Sequence, residues 1–267
     1  YEASQGFRPG LCMAGMILSW ILLGCWWFHA PIGGMLVPAL AVLGAFGVLV
    51  VGGSLWLRNR RASAGQSAPF AEPEMFLGLT GHVFLLAVVV QPGLSLPPWP
   101  WLGVLLVMAL ALGTAALYIR RGALQLGSVV ATLLVLIAWA GSLPAASPWS
   151  GLAIWPPVCF AALGLAWDEL AKRRKAQHEL FPFSAGIGIH LAQLALVVLG
   201  RRALGTAHGW LVLGHGTLGL MLLALAWRRR QHGWALALAG AMGVVLAAWS
   251  YVHMNPANPS AWSRELA

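Results

Sequence analysis

Three histidines, His82, His190 and His215, lie inside apolar stretches that otherwise contain no acidic or basic residue. Imidazole in such surroundings can ligate haem or another metal, hold a quinone or relay protons, because one ring nitrogen accepts while the other donates. His82 and His190 each fall about nine residues from the start of their apolar run, and His215 falls about seven residues from the opposite-facing start of its own. At ~1.5 Å rise per residue the three therefore share one depth within a few ångström. Glycines accompany each: Gly78 and Gly81, Gly186 and Gly188, and Gly214, Gly216 and Gly219. They leave room for a flat ligand or for close helix contact. A second set, His29, His208 and His253, lies toward the far ends of the apolar runs. Beside the ligand reading stands a structural one, in which a neutral histidine hydrogen-bonds to a neighbouring backbone or hydroxyl as packing glue.

The carboxylates narrow the chemistry. Glu2, Glu72, Glu74, Asp168, Glu169 and Glu179 fall in loops or at helix ends, and Glu265 falls in the C-terminal tail. With no Asp or Glu expected inside the apolar runs, proton- or cation-coupled transport and paired-carboxylate catalysis both lose support. The turn Phe28-His29-Ala30-Pro31 also lacks the acidic group that a polytopic sugar transferase would use there. Cys12, Cys25 and Cys159 stand singly in apolar stretches without C-x-x-C spacing, so they read as small core residues and imply neither a disulfide framework nor a zinc site.

The elements that must carry these residues follow from composition. Of 267 residues, 60% are apolar and 9% charged, whereas a soluble domain would be nearer a quarter charged. The charges cluster and leave apolar runs of about 20 residues, enough to cross a ~30 Å hydrocarbon layer. An all-α polytopic bundle of nine helices is predicted, at roughly 10–30, 32–57, 74–92, 100–119, 123–142, 151–171, 182–200, 208–227 and 232–252. It forms one integral membrane domain over 1–267. Pro31, Pro92-Gly93, Pro97-Pro98, Pro144 and Pro148 divide the runs. The first run is longer than the ~7 to 15 residue core of a signal peptide, and it reads as a membrane helix.

Net charge is +9. In a soluble protein this would raise nucleic acid as a partner; in a polytopic one it reports orientation, and no nucleic acid is expected. With nine alternating helices, Arg8, the Arg58–Arg61 cluster, Arg120, Arg121, the Lys172–Lys175 cluster and Arg228–Arg230 fall on one side, which is 13 of the 16 basic residues. Only Arg201, Arg202 and Arg264 fall on the other. The N-terminus is thus expected inside and the C-terminus outside. The basic clusters are also candidate contacts for anionic lipid head groups, at about 1 kcal/mol per residue. Most tryptophans fall near predicted helix ends, as residues of the headgroup level do.

Sliding the chain by 108 residues lays Gly78, His82, Leu86 and Ala87 on Gly186, His190, Leu194 and Ala195, and a shift of 110 lays Leu136-Ile137-Ala138-Trp139 on Leu246-Ala247-Ala248-Trp249. Segments 74–142 and 182–252 thus read as a parallel repeat. The hairpin ends Ala116-Leu117-Tyr118-Ile119-Arg120-Arg121-Gly122 and Ala224-Leu225-Ala226-Trp227-Arg228-Arg229-Arg230 resemble those of the bacterial predicted membrane proteins catalogued as domain of unknown function 2339. Those proteins carry many more helices, so the resemblance implies that this chain is an internal portion of such a protein, which suits a start at Tyr1, and places it in a bacterial inner membrane. The family brings no established activity.

The expected function is that of a non-enzymatic multi-pass membrane protein acting as scaffold, envelope component or transporter-like subunit. The alternative is a redox protein binding haem or quinone through His82, His190 and His215. Reporter fusions test the topology. Fusions after Arg61, Arg121, Lys175 and Arg230 should report the cytoplasm and one after Ala207 the opposite side; the reverse pattern overturns the orientation.

Overall fold

The computed structural model describes residues 9–63, 73–144, 147–176, 180–200 and 208–230, with isolated positions between 233 and 247. Among the described residues it is all-helical. The principal helices are α1 (Pro9–His29), α2 (Leu36–Ser63), α3 (Gly81–Val89), α4 (Trp99–Ile119), α5 (Gly122–Ser142), α6 (Trp155–Arg173), α7 (Leu180–Gly200) and α8 (His208–Arg229). Apart from the third, they match the first eight predicted helices closely, and the ninth, at 232–252, lies largely outside the described residues. Among the described residues, five helices are long and apolar enough to cross a membrane: Leu36–Arg60, Trp99–Ile119, Gly122–Ser142, Leu180–Gly200 and Gly209–Arg229. Met13–His29 and Leu77–Val89 are apolar but shorter. The third predicted helix is broken, running as a turn at Pro73–Phe76 and a 3₁₀ segment at Leu77–Thr80 before α3 begins. Helix α6 carries Asp168, Glu169, Lys172 and Arg173 at its polar end.

Prolines set the helix starts. Pro98 precedes α4 and Pro100 lies in its first turn, and Pro156 and Pro157 open α6, where the missing N–H is one that would find no intrahelical partner anyway. The ends of α4, α6 and α8 share one device: Arg120, Lys175 and Arg230 take the left-handed conformation, with φ of 57°, 51° and 51°. Behind Arg120, the N–H of Arg121 reaches Ala116 O at 2.9 Å and that of Arg120 reaches Leu117 O at 3.3 Å; behind Lys175, Ala176 reaches Ala171 O at 2.9 Å and Lys175 reaches Lys172 O at 3.1 Å. These bonds satisfy the last carbonyls of the helix, a role usually given to glycine. A cation there is favoured by the negative end of the helix dipole, which offsets part of the steric cost of a side chain.

Helix α5 is the hub. It packs against α3, α4, α6 and α7, and its buried residues cover about half of its circumference. Its closest partner is α7, whose face carries Ser184, Gly188 and Ala192 at intervals of four, all buried. A Cβ on Gly188 would lie 2.9 Å from Val129 Cγ1, and one on Gly141 would lie 3.6 Å from Val198 Cγ1. The two pairs advance in the same direction, so α5 and α7 run parallel with α6 between them. Gly44 and Gly47 of α2 meet Val104 and Met108 of α4 in the same parallel sense.

Apolar side chains also cover the outside: Leu49 and Leu220 are each 69% exposed and Val212 is 73% exposed. A bundle in lipid has no reason to hide them. The same logic corrects the reading of the cysteines, since Cys25 and Cys159 are exposed on the outside of apolar helices rather than in the core. It corrects two tryptophans as well. Trp101 and Trp139 are buried in edge-to-face contact at 5.0 Å, and Trp101 Nε1 donates to Ser95 O at 2.9 Å, so they belong to the core and not to a headgroup belt.

Gly188→Leu should overpack the α5–α7 contact and cost about 1–3 kcal/mol. Gly216, with nothing within 4 Å of its would-be Cβ, is the control. Thermal unfolding in detergent should show a lower Tm for Gly188→Leu and no comparable change for Gly216→Leu; equal effects would remove the special standing of Gly188.

Candidate functional site

The polar residues of α5 recur at helical spacing. Gln125, Ser128 and Thr132 stand three and four residues apart, and each is only 2% exposed. They therefore form one polar face on a helix that packs against four others. In hydrocarbon such groups need partners from neighbouring helices, since no water competes for them.

The partner of Thr132 is His82. Its Nδ1 lies 3.2 Å from Leu79 O and its Nε2 lies 3.2 Å from Thr132 Oγ1. A carbonyl only accepts, so Nδ1–H donates to Leu79 and Nε2 accepts from the Thr132 hydroxyl. The neutral ring is thereby oriented, and both nitrogens are held by protein groups. The bond ties α3 to α5, and a second tie lies toward their other ends, where Ser142 Oγ donates to Val89 O at 2.5 Å. Leu79 belongs to the 3₁₀ segment Leu77–Thr80 that precedes α3.

The other two candidate ligands sit in different surroundings. His190, on α7, is half-buried and Nδ1–H donates to Gly186 O at 2.8 Å. His215, on α8, is half-buried with Nδ1 enclosed and unpaired. Helices α3 and α7 both pack on α5, and α8 packs on α7. Among the described residues no group of three His, Cys, Asp or Glu side chains is brought to metal-binding separation. The glycines beside the histidines are mostly filled in by neighbours. A Cβ on Gly81 would collide with Met108, one on Gly78 with Val51, and one on Gly214 with Ile154 and Leu196. Close helix contact is their use at these positions. Of the outer set, His29 is exposed with Nδ1 against Cys25 O at 2.8 Å; the side chain of His208 and all of His253 lie outside the described residues.

The polar face of α5 that meets His82 also borders a cavity of about 10 Å³, lined among others by Gln125, Ser128 and Thr132 of α5, Ala109 of α4, and Phe160, Gly164 and Trp167 of α6. A second polar cluster joins the ends of α6 and α8. Arg229 Nε donates to Asp168 Oδ2 at 3.1 Å and its Nη2 to Oδ1, while Arg228 and Arg173 both donate to Glu169, Arg173 at 3.0 Å. Asp168 is 6% exposed, so this pair is the buried member of the clamp. Glu169 lies beyond the apolar part of α6. The hydrogen bond from Arg173, with the charge of Arg228 behind it, holds its carboxyl below the ordinary carboxylate range.

Sequence reasoning weighted histidines and passed over Gln125, Ser128 and Thr132. Their signal was present in Gly122-Ala123-Leu124-Gln125-Leu126-Gly127-Ser128-Val129-Val130-Ala131-Thr132, where the polar positions repeat on one helical face. No spacing rule pointed to the Asp168–Arg229 pair, whose partners are 61 residues apart.

Taken together, the long apolar helices are consistent with an integral, multi-pass membrane protein in a lipid bilayer. Comparison with protein-family models, with curated proteins and with solved structures found no match.

The His82–Thr132 bond can be measured by a double-mutant cycle. His82→Phe and Thr132→Val should each destabilise the protein, and the double variant should cost less than the sum by about 0.6 to 1.7 kcal/mol, the range for hydrogen bonds between membrane helices. Strict additivity would mean that the two side chains do not interact.

Proposed function

We propose that the chain is a non-enzymatic integral membrane protein, a scaffold, envelope component or transporter-like subunit, whose intramembrane histidines serve helix packing. The observation that carries the reading is the bonding of His82: one ring nitrogen donates to Leu79 O and the other accepts from Thr132, both at 3.2 Å. A histidine used in this way is a joint between helices. The Gly186 carbonyl accepts from His190 in a similar local bond.

The finer topology belongs to the same proposal. Nine crossings with the N-terminus inside are supported by the 13 basic residues on one side and by the left-handed basic closures shared by α4, α6 and α8. The parallel repeat of 74–142 and 182–252 rests on the shared Gly-x-x-x-His and Ala-Trp positions, and the likeness to the domain of unknown function 2339 proteins of bacterial inner membranes rests on the two arginine-ended hairpins. Anionic head groups are the proposed partners of the clusters at Arg58–Arg61, Lys172–Lys175 and Arg228–Arg230.

One observation favours the second reading, a haem or quinone protein. His215 keeps Nδ1 enclosed and unpaired, as a ring awaiting a ligand would. An optical spectrum and quinone extraction of the purified protein separate the two. The packing reading expects a colourless preparation free of quinone. A Soret band, or a stoichiometric quinone, lost on His215→Ala or His190→Ala overturns it.

A further inference from the structure

Helices α6 and α8 both finish on basic residues, and a cavity of about 60 Å³ lies between those two ends. Leu165, Asp168, Glu169 and Lys172 line it from α6, at intervals that put all four on one helical stripe, and Ala224, Leu225, Arg228 and Arg229 line it from α8. Its wall is therefore apolar toward the middle of both helices and charged toward their ends. The charged part holds three cations and two carboxylates, so one positive charge there has no counter-charge in the lining. The ion pairs show where it sits. Arg229 holds Asp168, while Arg228 and Arg173 hold Glu169. The Lys172 ammonium makes no hydrogen bond or ion pair with a described residue, and Arg228 reaches Glu169 through Nη2, which leaves its Nη1 and Nε for a further acceptor.

We infer that this cavity holds the phosphate of an anionic phospholipid, which accepts from the Lys172 ammonium and from the N–H groups that Arg228 does not give to Glu169. The inference rests on reading the basic clusters as contacts for anionic head groups, and it assigns that contact to one place. Charge agrees, because a phosphodiester brings the single negative charge that the lining lacks. Size agrees too: one water takes roughly 10–15 Å³, so a space of about 60 Å³ admits several oxygen-sized positions, as a phosphate requires. The surroundings favour a lipid over free phosphate as the source. Leu220, one turn before Ala224 on the same face of α8, is 69% exposed, and Trp227 beside Arg228 is 86% exposed. The first offers acyl chains an apolar surface next to the cavity, and the second is an indole of the kind that sits at headgroup level.

Native mass spectrometry of the full chain in detergent reads the binding constant of the first lipid to attach. Phosphatidylglycerol should bind more tightly than phosphatidylcholine, whose phosphate comes with a quaternary ammonium that Lys172 and Arg228 repel. Lys172→Gln should weaken phosphatidylglycerol about fivefold, the worth of one cation at a charged head group. Ala224→Leu, at an exposed position, keeps every charge but fills the space, and it should weaken the lipid at least as much. Arg174→Gln removes a neighbouring charge that lines no part of the cavity and should leave the constant unchanged. Binding like the parent in Ala224→Leu, with equal losses in Lys172→Gln and Arg174→Gln, overturns the cavity as the site and leaves the general contact of the clusters standing. No preference for phosphatidylglycerol over phosphatidylcholine overturns both. Inorganic phosphate, titrated in place of lipid, decides the source: if it binds as tightly as phosphatidylglycerol, the assignment to a lipid is overturned.

Discussion

The close approach of α5 and α7 holds the bundle together. Lipid tails are as apolar as leucine, so burying apolar surface between two membrane helices brings little of the driving force that works in water, and contact distance matters instead. Ser184, Gly188 and Ala192 give α7 a face with almost no side chain, and Val129 of α5 fits against Gly188. The other helices are placed by this pair. Helix α6 lies against both, and a Cβ on its Gly164 would lie 3.8 Å from the α-carbon of Ala185; α3 is joined to α5 by its histidine, and α4 turns directly into α5 through Arg120 and Arg121.

A helix face buried against other helices can hold polar groups that a lipid-facing one cannot. That is why the glutamine, serine and threonine of the described membrane-length helices concentrate on α5, with Gln193 and Ser184 on the face of α7 that meets the bundle interior. Some of these groups are answered from a neighbouring helix, and those bonds help specify which helices pack where. The Thr132 hydroxyl meets His82, and the Asp168 carboxylate meets Arg229 at the charged end. Apolar contact alone would leave several rotations of these helices nearly equal in energy; a buried hydrogen bond is satisfied in one.

Much of the architecture was legible along the chain because it depends on local quantities. Helix lengths follow from the bilayer, boundaries from proline, and the order of charges from insertion. The break in the third helix was not legible, since Leu77-Gly78-Leu79-Thr80 contains no strong breaker; the 3₁₀ turn there goes with the close contacts of Gly78 with Val51 and Leu112. Tryptophan misled at Trp101 and Trp139 because position near a helix end does not say whether a ring faces lipid or a neighbouring helix. Cysteine misled because in a membrane bundle an apolar outside is as acceptable as an apolar core.

The sequence alone determined an all-helical chain with apolar runs of membrane length, a clustered charge distribution, and three histidines at one predicted depth. These are one-dimensional properties, set by how many residues of a kind follow one another. The tertiary structure decided what the histidines touch, which polar residues share a space, and which acid meets which base. Those depend on the rotation of each helix about its own axis. That rotation is set by contacts between side chains 50 residues apart for His82 and Thr132 and 61 apart for Asp168 and Arg229, a separation across which local spacing carries no information.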